Sequence, residues 1–148
     1  MSSNDMNTRD RQTRMGLLAR ARPARLAALM PALPRHDWLR APETGAVMVR
    51  GRIGATGGAF NLAEMSVTRC ALKLDGGAVG HAYVQGRDKD HAARAAVIDA
   101  LMQGPAAARI EADILAPLRA DEENRRHARA EKAAATKVEF FTMVRGED

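Results

Sequence analysis

The 148-residue sequence predicts an α+β fold, an antiparallel meander sheet combined with helices, and three observations carry that reading. Apolar residues recur at helical spacing in the first 35 residues and again from Asp88 onward. Between those stretches the period changes to two, with glycine-rich turns separating the alternating runs. The hydrophobic fraction is 46%, yet only five residues are aromatic, so the apolar content is largely alanine and the core must be small and closely packed. At this length the chain forms one domain, divided into a basic helical segment (1–35), a sheet-plus-helix core (37–104) and a helical arm with a terminal strand (105–148).

The N-terminal segment reads as two helices. Residues 8–20 are polar apart from Met15, Leu17 and Leu18. Pro23 suits the first turn of a second helix, whose Leu26, Leu29, Met30 and Leu33 share a face until Pro31 and Pro34 end the pattern. Residues 1–40 hold eight arginines against three aspartates, whereas the other 108 residues balance at 15 of each sign, so this segment carries all of the net +5. Two readings remain open for it, a solvated lead-in or a surface that docks on an acidic partner or polyanion. With Trp38 as its one aromatic, stacking on single-stranded nucleic acid is a poor fit, and nucleic acid is not an expected partner.

The sheet follows. Val47, Val49 and Ile53 alternate with Met48, Arg50 and Arg52, and Thr68, Cys70, Leu72 and Leu74 alternate with Val67, Arg69, Ala71 and Lys73. Asp75-Gly76-Gly77 turns the second strand into a third over residues 78–84. The connection Gly54-Ala55-Thr56-Gly57-Gly58-Ala59-Phe60 is either a plain hairpin link or a place where glycine amides such as that of Gly57, with the Thr56 hydroxyl, approach a phosphate; it lacks the Gly-Lys-Ser/Thr of a P-loop.

A central amphipathic helix spans 88–102. Asp88 or Asp90 caps it, Ala92, Ala93, Ala96, Val97, Ala100 and Leu101 form its buried stripe, and Gly104-Pro105 stops it. A third helical region places Ile110, Ile114, Leu115 and Leu118 on one side, with Pro117 interrupting or restarting it. From 119 to 137 no apolar residue exceeds alanine in size, which gives a long helix without a hydrophobic stripe. Val138-Glu139-Phe140-Phe141-Thr142-Met143-Val144 then reads as a strand. Burying one phenylalanine is worth about 1.5–3 kcal/mol, so this stretch requires cover. It either completes the home sheet or docks on another chain, with Val138, Phe140, Phe141, Met143 and Val144 as the interface.

The chemistry available is limited. No serine sits in a nucleophile elbow, and Cys70 falls on the inward phase of its strand. The four histidines are scattered without metal-ligand spacing, so neither a catalytic nor a metal site is expected. One cysteine also excludes a disulfide framework. No run of about 18 apolar residues and no secretory signal occurs, which points to a cytoplasmic protein. The stretch Gln85-Gly86-Arg87-Asp88-Lys89-Asp90-His91 is more suggestive. Arg87, Lys89 and His91 stand at a helix N-terminus, where an anion is welcome and cations are not. Either they hold an anionic ligand, or Asp88 and Asp90 neutralise them locally.

Those same residues carry a family resemblance. Tyr83-Val84-Gln85-Gly86-Arg87-Asp88-Lys89, with His91-Ala92 and Ile98-Asp99-Ala100-Leu101-Met102, resembles the PhnG family of the bacterial carbon–phosphorus lyase system. Glu43-Thr44-Gly45, Thr56-Gly57, Thr68-Arg69 and Phe140-Phe141-Thr142-Met143-Val144-Arg145-Gly146 resemble it too. The resemblance implies an accessory, assembly-forming subunit that works with PhnH, PhnI and PhnL. The implied reaction converts MgATP and methylphosphonate to alpha-D-ribose 1-methylphosphonate 5-triphosphate and adenine. It further implies a core complex with two copies each of this subunit, PhnH, PhnI and PhnJ, in which PhnI supplies nucleosidase-like chemistry and PhnJ the radical step. No catalytic residue is carried over, and no cofactor is expected on this chain.

Overall fold

A computed structural model describes residues 3–52 and 59–145. The element order is α1 (Ser3–Arg20), α2 (Pro23–Leu29), β1 (His36–Arg52), β2 (Ala59–Leu74), β3 (Val79–Gln85), α3 (Lys89–Leu101), α4 (Ala107–Ile110), a π-helical turn (Glu111–Leu115) and α5 (Ala116–Arg145). The strands form one antiparallel sheet in the order β1-β2-β3, the meander expected from the sequence. Gly77, at φ +94°, makes the β2–β3 turn, where a side chain would be strained.

Strand β1 begins eleven residues before the alternating run that marks it in the sequence. The reason is local: the β1–β2 register shifts between Trp38 and Arg40 and again between Arg40 and Glu43. Each shift breaks the two-residue period on which recognition depends. At its other end the β1–β2 pairing continues to Arg52 and Ala59, while β3 pairs only with Val67 through Lys73. The far part of β1–β2 is therefore a two-stranded ribbon projecting beyond the sheet.

One face of the sheet carries the core. Cys70, Leu72, Ala82 and Val84 pack against Ala92, Ala96, Val97 and Ile98 of α3, joined by Leu17, Leu18, Leu26 and Met30 from the N-terminal helices. The alanine-rich composition has its consequence here. A Cβ on Gly80 would lie 1.8 Å from the Ala96 carbonyl oxygen and 2.9 Å from the Ala100 amide nitrogen. Strand β3 and helix α3 thus meet backbone to backbone, a spacing that only glycine facing alanine permits. Asp88 caps α3 as expected, its carboxylate accepting the His91 amide at 3.0 Å.

Two expectations are corrected. The N-terminal segment is no solvated lead-in, because it closes the core. Leu17, Leu18 and Leu26 are buried, and Arg20 and Arg25 pair with Glu122 and Asp121 of α5 at 2.8 Å each. Its positive charge is largely spent within the chain. The second correction concerns the terminal strand: Val138, Phe140, Phe141, Met143 and Val144 continue α5, which runs unbroken to Arg145. Helix extension adds one hydrogen bond per residue fixed, whereas a new strand must first find a paired edge. The alanine-rich stretch before Val138 therefore carries its helix into the bulky residues. Pro117 restarts the helix, as one of its two readings had it, in the first turn of α5. The π-helical turn just before it accommodates the missing N–H and the clash with the carbonyl four residues back.

Candidate functional site

Three sequence blocks converge where β3 gives way to α3. Gly86, at φ +94°, donates its amide to the Ser66 carbonyl at 2.8 Å. The hydroxyl of the fully buried Thr68 donates to the Gly86 carbonyl at 2.9 Å, and so accepts from the Thr44 hydroxyl at 3.0 Å. This chain of bonds fixes the turn that presents Arg87 and Lys89, both of them exposed. His91 parts company with them. Its ring is 2% exposed and Nε2 donates to the Leu18 carbonyl at 2.8 Å, leaving Nδ1 without a partner. A histidine enclosed in this way joins α3 to α1 and is out of reach of a ligand arriving from solvent. Thr56 and Gly57 lie outside the described residues.

Beside that turn, Glu43, Thr44, Val47, Val67, Arg69 and Tyr83 line a cavity of about 260 Å³. Glu43 stands 3.7 Å from Arg69 and 3.8 Å from Arg40, with all three side chains half exposed, so these pairs are weak and replaceable. A cavity of about 460 Å³ between α1 and α5 holds Arg14, Arg20, Arg119 and Arg126. Each of these arginines already has a carboxylate: Asp99, Glu122, Glu111 and Glu123 respectively. This is bracing between helices. Hydrogen bonds from Arg20 hold the Glu122 carboxyl below its ordinary range.

The residue that sequence reasoning missed is Asp99. Its carboxylate is fully buried, and it accepts from Arg11 at 2.8 and 3.1 Å, from Arg14 at 3.3 Å and from the His81 amide at 2.9 Å. The bond to Asp99 in turn raises the pKa of the Arg11 guanidinium. A signal was present: Asp99 follows Ala92 and Ala96 along the buried stripe of α3, where an acid requires a partner. Cys70 is buried with its thiol on the Ala92 carbonyl at 3.3 Å, and burial pushes its pKa up to about 11. That is the inert core thiol the strand phase implied. Among the described residues no group of three or more His, Cys, Asp or Glu could hold a metal ion. No helix among them is long and apolar enough to cross a membrane.

The other candidate surface is the far half of α5. With 30 residues the helix is about 45 Å long. Its first turns bury Leu118 and pair with α1 and α2, but everything from Arg126 onward whose side chain is described is exposed. Val138, Phe140, Phe141 and Met143 are 64, 63, 56 and 69% exposed. The two phenylalanine rings meet edge to face with centroids 6.1 Å apart, and the Lys137 ammonium lies 6.0 Å from the Phe141 ring. These four expected interface residues are therefore uncovered by their own chain, although on a helix and not on a strand, while the side chain of Val144 lies outside those described.

Comparison with known proteins agrees with this picture of a part made for an assembly. The family model described as "Phosphonate metabolism protein PhnG" matches residues 9–146. The chain is also similar to a protein of Rhizobium meliloti (strain 1021), at 46% identity over 99% of this chain and 96% of the relative. That relative is named alpha-D-ribose 1-methylphosphonate 5-triphosphate synthase subunit PhnG. On both the family match and the near full-length identity, the chain belongs to the PhnG family of phosphonate metabolism proteins.

Proposed function

We propose that this protein is an assembly-forming, non-catalytic subunit of a cytoplasmic ribose 1-methylphosphonate 5-triphosphate synthase. In this reading it works with PhnH, PhnI and PhnL, and the complex converts MgATP and methylphosphonate to alpha-D-ribose 1-methylphosphonate 5-triphosphate and adenine. PhnJ shares the core complex, which holds two copies of this chain; the chain itself binds no cofactor. One observation carries the reading: α5 holds two of the chain's three phenylalanines, exposed, on an arm that leaves its own core. A cluster of bulky apolar groups held in water in this way marks an interaction surface, and in a subunit of an assembly another polypeptide is the cover it fits. Co-expression with PhnH, PhnI and PhnL, with and without residues 126–148, tests it. The full chain is expected to co-purify with at least one of them and the shortened chain with none. A shortened chain that still assembles and supports adenine release would defeat the proposal.

A second reading adds a ligand role. Arg87 and Lys89 are both exposed beside the capped N-terminus of α3, so they are free to meet an anionic substrate at a shared active site. Alanine at both positions is then expected to raise the apparent KM for ATP or methylphosphonate while the complex stays intact. An unchanged KM removes this reading.

A further inference from the structure

The tip of α5 has a geometry that restricts what can receive it. Successive residues of an α-helix turn by about 100°, so Met143, Phe140, Phe141 and Val138 together span about 220° of the circumference. A helix lying on a surface buries a stripe of roughly 100°. Only Glu139 and Thr142 occupy the remaining side. The Thr142 hydroxyl is already satisfied by the Val138 carbonyl at 3.0 Å, as is that of Thr136 by the Lys132 carbonyl at 2.9 Å. Those hydroxyls need no partner from outside, so the side carrying Glu139 and Thr142 can be left facing water while the apolar arc is enclosed. The charge is equally one-sided. Residues 125–145 hold six arginines and lysines against two glutamates, and Arg129, Lys132 and Lys137 flank the groove that ends at Phe140.

We infer that the tip of α5 is a plug, inserted into a deep apolar socket with an acidic rim on a different chain. This rests on the subunit reading above and names the chemistry of the partner surface. A second copy is a poor receiver, since it carries the same net +5 and its cavity between α1 and α5 is lined with arginines. A membrane surface is also a poor fit, because it covers one continuous face and would leave Val138 or Met143 in water.

The test is an aspartate scan around the tip, in the full chain co-expressed with the synthase subunits named above. Val138→Asp, Phe140→Asp and Met143→Asp are each expected to weaken retention at least about thirtyfold, as for residues enclosed in an interface. Thr142→Asp, on the polar side, serves as the matched control and is expected to leave retention within about threefold. Lys132→Glu combined with Lys137→Glu is expected to cost about tenfold and to flatten the salt dependence. All variants should keep the unfolding midpoint of the wild type, because the tip touches none of the body. Loss confined to Phe140→Asp, with Val138→Asp or Met143→Asp unaffected, would show a shallow surface and overturn the plug. An unaffected charge-reversed variant would overturn the acidic rim. Concentration-dependent dimers of the wild type in sedimentation, or its binding to phosphatidylserine vesicles, with sensitivity to the same positions would assign the tip to those occupants instead. A wild-type chain that retains no synthase subunit would defeat the subunit reading itself.

Discussion

Helices α3 and α5 draw on the same residue type and use it in opposite ways. All five alanines of α3 are buried, and all seven of α5 are exposed. In α3, alanine acts as a spacer, small enough to bring the helix backbone onto β3 at Gly80. In α5, alanine contributes helix propensity alone, keeping a rod formed where no core supports it. The difference lies in the neighbours and not in the composition. The first helix is specified by fit, the second by local preference, and only the first should respond sharply to changes of size.

Gly80→Ala is the strongest way to probe this. Its new methyl group meets backbone on α3, which cannot rotate aside, so the loss should be about 3 kcal/mol or more in urea unfolding. A loss below about 1 kcal/mol would mean that the β3–α3 contact is looser than described. Asp99→Ala comes next, since it leaves Arg14 and the His81 amide unpaired in the interior. A loss of about 2–3 kcal/mol is expected, reduced from the fully buried case because Arg11 reaches solvent. The smallest effect belongs to α5 where it joins the body. The Glu122 carboxyl has a folded-state pKa below its ordinary 4.5, so its pairing stabilises above that value and is lost as pH falls through the lower one. Glu122→Gln should therefore cost under about 1 kcal/mol at pH 7, with the gap to wild type closing as the Glu122 carboxyl is protonated in acid. A gap that persisted in acid would assign the effect to packing.

The features legible in the sequence were those with a local cause. Asp88, Gly104 and the Asp75-Gly76-Gly77 turn each act on their immediate backbone, and α3 and the β2–β3 hairpin appear where they direct. The inward phase of Cys70 and Leu72 and the buried side of Ile110, Ile114, Leu115 and Leu118 followed from simple periodicity. What the sequence concealed depended on distant groups. The irregular half of β1 is defined only by its pairing with β2. The arginine partners of Asp99 stand 85 and 88 residues away. The residues 138–144 have the bulk of a strand but lie downstream of a helix already under way, and their exposure could be seen only once the core was found to be complete without them. Of the three side chains the sequence placed at the start of α3, Arg87 and Lys89 are exposed, whereas His91 is enclosed against the Leu18 carbonyl, a partner 73 residues away that no local pattern reveals.

The clasp between Arg11 and Asp99 also bears on the order in which the molecule is made. A ribosome releases α1 first, yet the carboxylate it needs is synthesised 88 residues later. Until then a helix with few apolar residues lacks the partner that holds it in the folded chain. The opening segment of the polypeptide thus cannot dock before α3 has been made, and its docking adds Leu17 and Leu18 to the hydrophobic interior. Anything fused in front of Ser3 would have to travel with it through that closing step.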